Sequence, residues 1–151
     1  MKFLMRGFTL VELIVVLVIL AILGAVVAPK LFDLAGPSRA AVLKALTGSI
    51  NSASQLAHGA QVANGLAANS SVTVEGVLVT MLNGYPTADI AGIGAAIQAD
   101  PTVVSSIAGN PMTFQITTAV TPATCQVTYL AATTTNPPVI QQTPQATLNC
   151  N

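Results

Sequence analysis

Charge is scarce in this chain: 7% of its 151 residues are charged, five basic and five acidic, and the formal net charge is zero. A protein that tracks phosphates needs a basic stripe or patch. Lys2, Arg6, Lys30, Arg39 and Lys44 are too few and too spread out to make one, so no nucleic-acid partner is expected. Histidine is nearly absent as well. His58 stands alone, with no Cys, Asp or Glu at ligand spacing, so it reads as a surface or boundary residue and no metal is expected. One histidine, two cysteines and the dispersed Glu75, Asp89 and Asp100 leave no acid–base pair or triad to build, which argues against an enzyme. Gly92-Ile93-Gly94 lacks the third glycine, the lysine and the preceding long strand of a phosphate loop. No other cofactor motif appears, and the expected cofactor is none.

What the chain does have is one long greasy run. Phe8 to Ala28, FTLVELIVVLVILAILGAVVA, holds 21 residues, of which only Thr9 and Glu12 are polar. A helix rises about 1.5 Å per residue, so the run reaches roughly 30 Å, the thickness of a bilayer's hydrocarbon core. A membrane-spanning helix is expected, because in lipid a helix satisfies its own backbone groups. Glu12 is the anomaly. In mid-span an acid costs about 2.5–3.5 kcal/mol, while each Leu, Ile or Val returns about 0.3–0.6. The unbroken apolar stretch from Leu13 to Ala28 carries that cost, and the carboxylate asks for a partner.

The residues before the run supply one. Met1 to Gly7, MKFLMRG, is short and basic and ends in a small residue. A secretory signal peptide would place its small-residue cleavage site after the apolar segment, not in front of it. Cutting between Gly7 and Phe8 removes Lys2 and Arg6, keeps the greasy helix, and exposes an α-amino group four residues before Glu12. Amine and carboxylate could then meet within one chain, a helical turn apart, or between staggered neighbours. Lys2 and Arg6 also hold the leader on the cytoplasmic side, which sends the rest of the chain outward.

Gly7-Phe8-Thr9-Leu10-Val11-Glu12, the basic leader and the apolar helix together resemble the type IV prepilin family of bacterial proteins. The resemblance covers about the first 35 residues, and every motif position is present. It implies cleavage of the Gly7–Phe8 bond by a membrane prepilin peptidase, N-methylation of Phe8, and registration of subunits through Glu12. It also implies an inner-membrane precursor that the pilus assembly machinery extracts into an extracellular homopolymer. Residues 28–34 and Gly84-Tyr85-Pro86 look like the mannose-sensitive haemagglutinin branch of that family. Pro29 is expected to bend or loosen the end of the run, and Gly24 weakens the same segment. A simple membrane-exit kink accounts for both; the resemblance adds that the interval Gly24–Pro29 melts on assembly.

Beyond the run, Gly36-Pro37 threatens a second break and Ser38 could cap a restart. Val42, Leu46, Ile50, Ala53, Ala57 and Ala60 then mark one helical face, with Lys44, Ser52, Gln55 and Gln61 opposite and Asn64-Gly65 as the stop. Val72-Thr73-Val74 and Val77-Leu78-Val79 flank Glu75-Gly76 as a hairpin, and Asn83 to Pro86 reads as a turn. Ala88 to Ala99 is expected to be a short helix. Residues 112–118 and 125–131 alternate as half-buried strands, with short runs at 139–142 and 145–149.

The expected class is α+β: a long N-terminal helix, membrane-spanning below and amphipathic above, packed on a small antiparallel head. The expected division is leader 1–7, hydrophobic helix 8–35, amphipathic helix 36–65 and head 66–151. Cys125 and Cys150 lie on the oxidising side of the membrane, where an even count reads as a disulfide, two free thiols being the alternative. In pilins such a bridge bounds a surface-facing C-terminal loop. The function implied is the major structural subunit of a type IV pilus, serving adhesion or surface attachment. A type II secretion pseudopilin and a membrane-anchored adhesin module that never polymerises are the alternatives.

Overall fold

The computed structural model describes residues 8–32, 34–144 and 147–151. The leader, with Gly7, lies outside the described residues, as do Asp33, Gln145 and Ala146. The chain divides into two units, Met1–Ala35 and Gly36–Asn151.

The first unit is one helix, α1, Leu10–Phe32. Its large side chains from Leu10 to Val27 are 46–72% exposed, so nothing among the described residues covers them. Leu10–Lys30 is long and apolar enough to cross a membrane. Pro29 sits inside α1, which runs on to Phe32; the ring removes the hydrogen bond to the carbonyl one turn back without ending the helix.

The second unit opens in the first turn of α2, Ala35–Ala63. Gly36 and Pro37 occupy its first turn instead of interrupting it, because backbone N–H groups there have no intrahelical partner to lose. The helix stops at Gly65, whose φ of 62° is left-handed. The Leu66 N–H donates to the Gln61 carbonyl at 3.1 Å and the Gly65 N–H to Val62 at 3.0 Å, the paired bonds of a glycine C-terminal cap.

The expected face of α2 is the one that packs on the core: Ile50 and Ala57 are fully buried, and Leu46, Ala53 and Ala60 lie partly buried against it. Leu43, Ile50, Ser54, Ala57 and Gln61 point inward, while Val42 is 40% exposed. The buried face is wider than the apolar spacing predicts because two polar side chains find partners inside. The Gln61 carboxamide donates to the Ala67 and Ser70 carbonyls, both at 2.9 Å, and so satisfies the loop that leaves the helix. The Ser54 hydroxyl lies 3.5 Å from that of Tyr129.

Two small hairpins follow. β1 (Val72–Val74) pairs with β2 (Val77–Val79), and β3 (Met81–Leu82) with β4 (Tyr85–Pro86). Both turns put two consecutive residues at positive φ, Glu75 and Gly76 in one, Asn83 and Gly84 in the other. That is the mirror-image turn whose twist matches a two-residue hairpin. The expected helix over 88–99 is broken into a wide turn, Ile90–Gly94, and a short α3, Ala95–Ile97. Gly92 breaks it. The Asp89 carboxylate accepts from the Gly92 N–H at 2.6 Å, and a Cβ at residue 92 would run into the Thr87 backbone.

The main sheet has four antiparallel strands in the order β5 (Val104–Ile107), β6 (Met112–Ile116), β7 (Gln126–Leu130), β8 (Val139–Gln142). β5 was not legible beforehand. Of the run expected over 145–149, Thr147–Asn149 forms no strand, and Gln145 and Ala146 lie outside the described residues. Met112, Phe114 and Ile116 on β6, with Val127 and Tyr129 on β7, turn one face toward Leu43 and Ile50 of α2. Each such side chain, taken fully from water, contributes about 1.5–3 kcal/mol. Ala57, Val72, Val79 and Met81 form a second, smaller cluster under the first hairpin.

Candidate functional site

The start of α1 is held by a reciprocal pair. The Thr9 side-chain oxygen accepts from the Glu12 N–H at 3.2 Å, while the Glu12 carboxylate Oε2 accepts from the Thr9 N–H and the Thr9 hydroxyl, each at 3.0 Å. Thr9-Leu10-Val11-Glu12 is thus a capping box, in which two backbone donors left over by the helix are satisfied at once. Sequence reasoning had singled out Glu12 and passed over Thr9, although the Thr-x-x-Glu spacing was in plain view. Both oxygen contacts use Oε2; among the described residues none bonds Oε1. Phe8, next to the box, is 83% exposed. Glu12 therefore has a local structural duty and one carboxylate oxygen still open, at the mouth of an uncovered apolar helix.

In the second unit, Cys125 and Cys150 are bridged, with Cα atoms 5.0 Å apart. The segment behind the bridge is tied down on both sides. Thr124 donates its hydroxyl to the Asn149 carbonyl at 2.7 Å and accepts at its own carbonyl from the Asn149 N–H at 3.2 Å. The Val120 N–H reaches the Asn151 carbonyl at 2.6 Å. Arg39 of α2 donates to the Cys150 carbonyl at 3.1 Å and to the Thr118 hydroxyl at 3.2 Å. Residues 149–151 are thereby fixed both to α2 and to the connection between β6 and β7.

Tyr129 closes the core from the sheet side. Its hydroxyl donates to the Pro86 carbonyl at 2.8 Å, joining β7 to the second hairpin. Burial raises its pKa to about 12; the Ser54 hydrogen bond works the other way, and Tyr85 adds a small rise. In the unfolded chain the phenol ionises near 10, so its contribution is fully present below pH 10 and is lost as pH climbs toward 12. Tyr129→Phe is expected to lower stability at pH 7 by about 1–3 kcal/mol, since the Pro86 carbonyl loses its donor. It should also flatten the alkaline fall between pH 10 and 12. Denaturant titrations of both proteins at several pH values check the two effects together.

His58 lies on α2, half-buried, with Nδ1 2.6 Å from the Gly84 carbonyl and its ring stacked on Tyr85 at 4.3 Å. Gly24 and Pro29 both lie within α1, and beyond the adjoining helix backbone no atom of the described residues lies within 4 Å of a Cβ built at Gly24.

Comparison with known families finds a match over residues 4–28 to the model described as the prokaryotic N-terminal methylation motif. The match takes in Phe8, Thr9 and Glu12, ends at residue 28, and leaves the whole second unit untouched. Neither a curated protein nor a solved structure matches the chain.

Proposed function

Starting from a chain that carries the type IV prepilin signature, we propose that this protein is the major structural subunit of a type IV pilus. Residues 1–7 are its leader, removed by prepilin peptidase at the Gly7–Phe8 bond, after which Phe8 is N-methylated. Residues 8–35 anchor the precursor in the inner membrane and later form the filament core. Residues 36–65 carry that helix into the head, 66–151. The pilus serves adhesion or surface attachment.

The observation that carries the reading is the contrast between the two units. The second buries a core of its own, whereas α1 leaves every large apolar side chain from Leu10 to Val27 uncovered. A helix apolar all round needs either lipid or other helices about it. A span that exchanges lipid for copies of itself meets that need in both of its lives. Contacts between unlike faces of identical subunits propagate into open helical filaments when the rotation does not close. Glu12 supplies the register, its open oxygen facing the Phe8 amine of a neighbour. Gly24 and Pro29 allow the intervening helix to yield as subunits pack.

The test is the N-terminus and mass of material sheared from the cell surface. Fibres whose subunits begin at methylated Phe8 are expected. A processed protein confined to the periplasm, with no surface fibre, would identify a type II secretion pseudopilin. Recovered chains that retain Met1–Gly7 would overturn the proposal, since no amine would exist at Phe8.

A further inference from the structure

A groove of about 310 Å³ runs between α2 and the segment entering β8, lined by Asn51, Gln55, His58, Tyr85, Pro138 and Ile140, with Ser54 at its base. Its size falls at the lower end of the roughly 300–1,000 Å³ found for small-molecule sites. We infer that this groove is a binding site for a neutral, polyhydroxylated ring, that is, a single sugar residue.

The lining chemistry selects the ligand. Among the described residues no Lys, Arg, Asp or Glu borders the groove, so a charged ligand would find no counter-ion there. What it offers is a set of polar atoms on one face of α2, spaced three and four residues apart. Gln55 Nε2 donates to Asn51 Oδ1 at 2.9 Å, which holds the two carboxamides side by side. That leaves the Asn51 amide hydrogens as donors and Gln55 Oε1 as an acceptor. The Gly84 carbonyl, 2.6 Å from His58 Nδ1, selects the tautomer with the proton on that nitrogen, so the neutral ring presents Nε2 as an acceptor. The Tyr85 hydroxyl makes no hydrogen bond among the described residues.

Sugar hydroxyls donate and accept at once, and carboxamides, imidazole and phenol meet both needs. The opposite wall is apolar, formed by Pro138 and Ile140 with Pro137 at the rim, and suits the C–H face of a pyranose. The same wall disfavours a peptide. Pro137 and Pro138 have no N–H to donate, so an extended chain could not add along this segment by main-chain bonds.

The inference is independent of the filament reading, because every lining residue lies in the second unit and the assay needs no assembly. Full-length protein in a sugar-free zwitterionic detergent would be titrated by NMR with the neutral methyl glycosides of glucose, galactose and mannose. Glucuronate, glucosamine and trialanine serve as charged and peptide probes. Saturable shifts centred on Asn51, Gln55, His58 and Tyr85 are expected with at least one neutral glycoside, at millimolar affinity. Asn51→Ala and Gln55→Ala, both on the exposed side of α2, should each weaken binding about tenfold, the worth of one good hydrogen bond, with an unchanged circular dichroism spectrum. Absence of saturation with every neutral glycoside, an affinity in both variants unchanged from the parent, or tighter binding of a charged or peptide probe would each overturn the proposal.

Discussion

Glu12→Ala is expected to insert into the membrane as well as the parent chain or better, and to yield roughly a hundredfold fewer surface fibres or less. Insertion improves because an acid in the span costs about 2.5–3.5 kcal/mol that alanine does not. Assembly suffers because the mature amine at Phe8 would enter a low-dielectric core with nothing to neutralise it. Removing one partner of a buried ion pair costs about 3–5 kcal/mol, and each 1.4 kcal/mol is about tenfold in an association constant. The capping box complicates this variant, since alanine also gives up the Thr9 contacts. Glu12→Gln separates the two roles. Glutamine keeps the reciprocal bonds with Thr9 but carries no charge. If the carboxylate acts on a neighbour's amine, Gln and Ala variants should fail alike by electron microscopy of sheared fibres. If it acts only as a cap, the Gln variant should assemble normally, and the role proposed for Glu12 would be lost.

The second large effect is expected in the head. Replacing both Cys125 and Cys150 by alanine should lower stability by about 3–4 kcal/mol, the loop-closure entropy restored to the unfolded chain by opening a 25-residue loop. For a unit of this size that corresponds to a fall in melting temperature of roughly 10–20 °C. The bonds from Thr124, Val120 and Arg39 to residues 149–151 do not replace the bridge, because each must then order a segment no longer covalently tied to Cys125. Thermal unfolding of the full chain in detergent, followed by circular dichroism, reads the shift. A change of only a degree or two would mean that these hydrogen bonds hold the segment on their own.

The parts of the fold legible in the sequence are those where local pattern and packing agree. The apolar run specified α1, and Glu75-Gly76 and Asn83-Gly84 specified tight turns through their need for positive φ. Residues 112–116 and 126–130 declared themselves by period-two alternation. The failures share a cause in long-range contact. Ser54 and Gln61 look like solvent-facing residues until Tyr129 and the 67–70 loop are in place, and burying them widened the core face of α2. Val104-Ser105-Ser106-Ile107 has no alternation to read, being a sheet-edge strand with three of its four residues exposed. The helix over 88–99 fails at Gly92 because of its tight approach to Thr87, which no local propensity encodes. At the N-terminus the gap was of another kind. Glu12 drew notice by its cost in lipid, and that overshadowed the plain helix-start pattern it forms with Thr9.

The open meander of β5 to β8 leaves two edge strands, β5 and β8, one at each margin of the sheet. Many proteins guard such margins with lysine or other charges against unwanted strand-to-strand sticking. Here charge is almost missing, and proline stands in for it: Pro138 directly precedes β8 and Pro144 closely follows it, while Pro101 and Pro111 bracket the stretch holding β5. In the proposed filament, a surface so poor in repulsion would depend on these rings to keep neighbouring heads from zipping together in the wrong way.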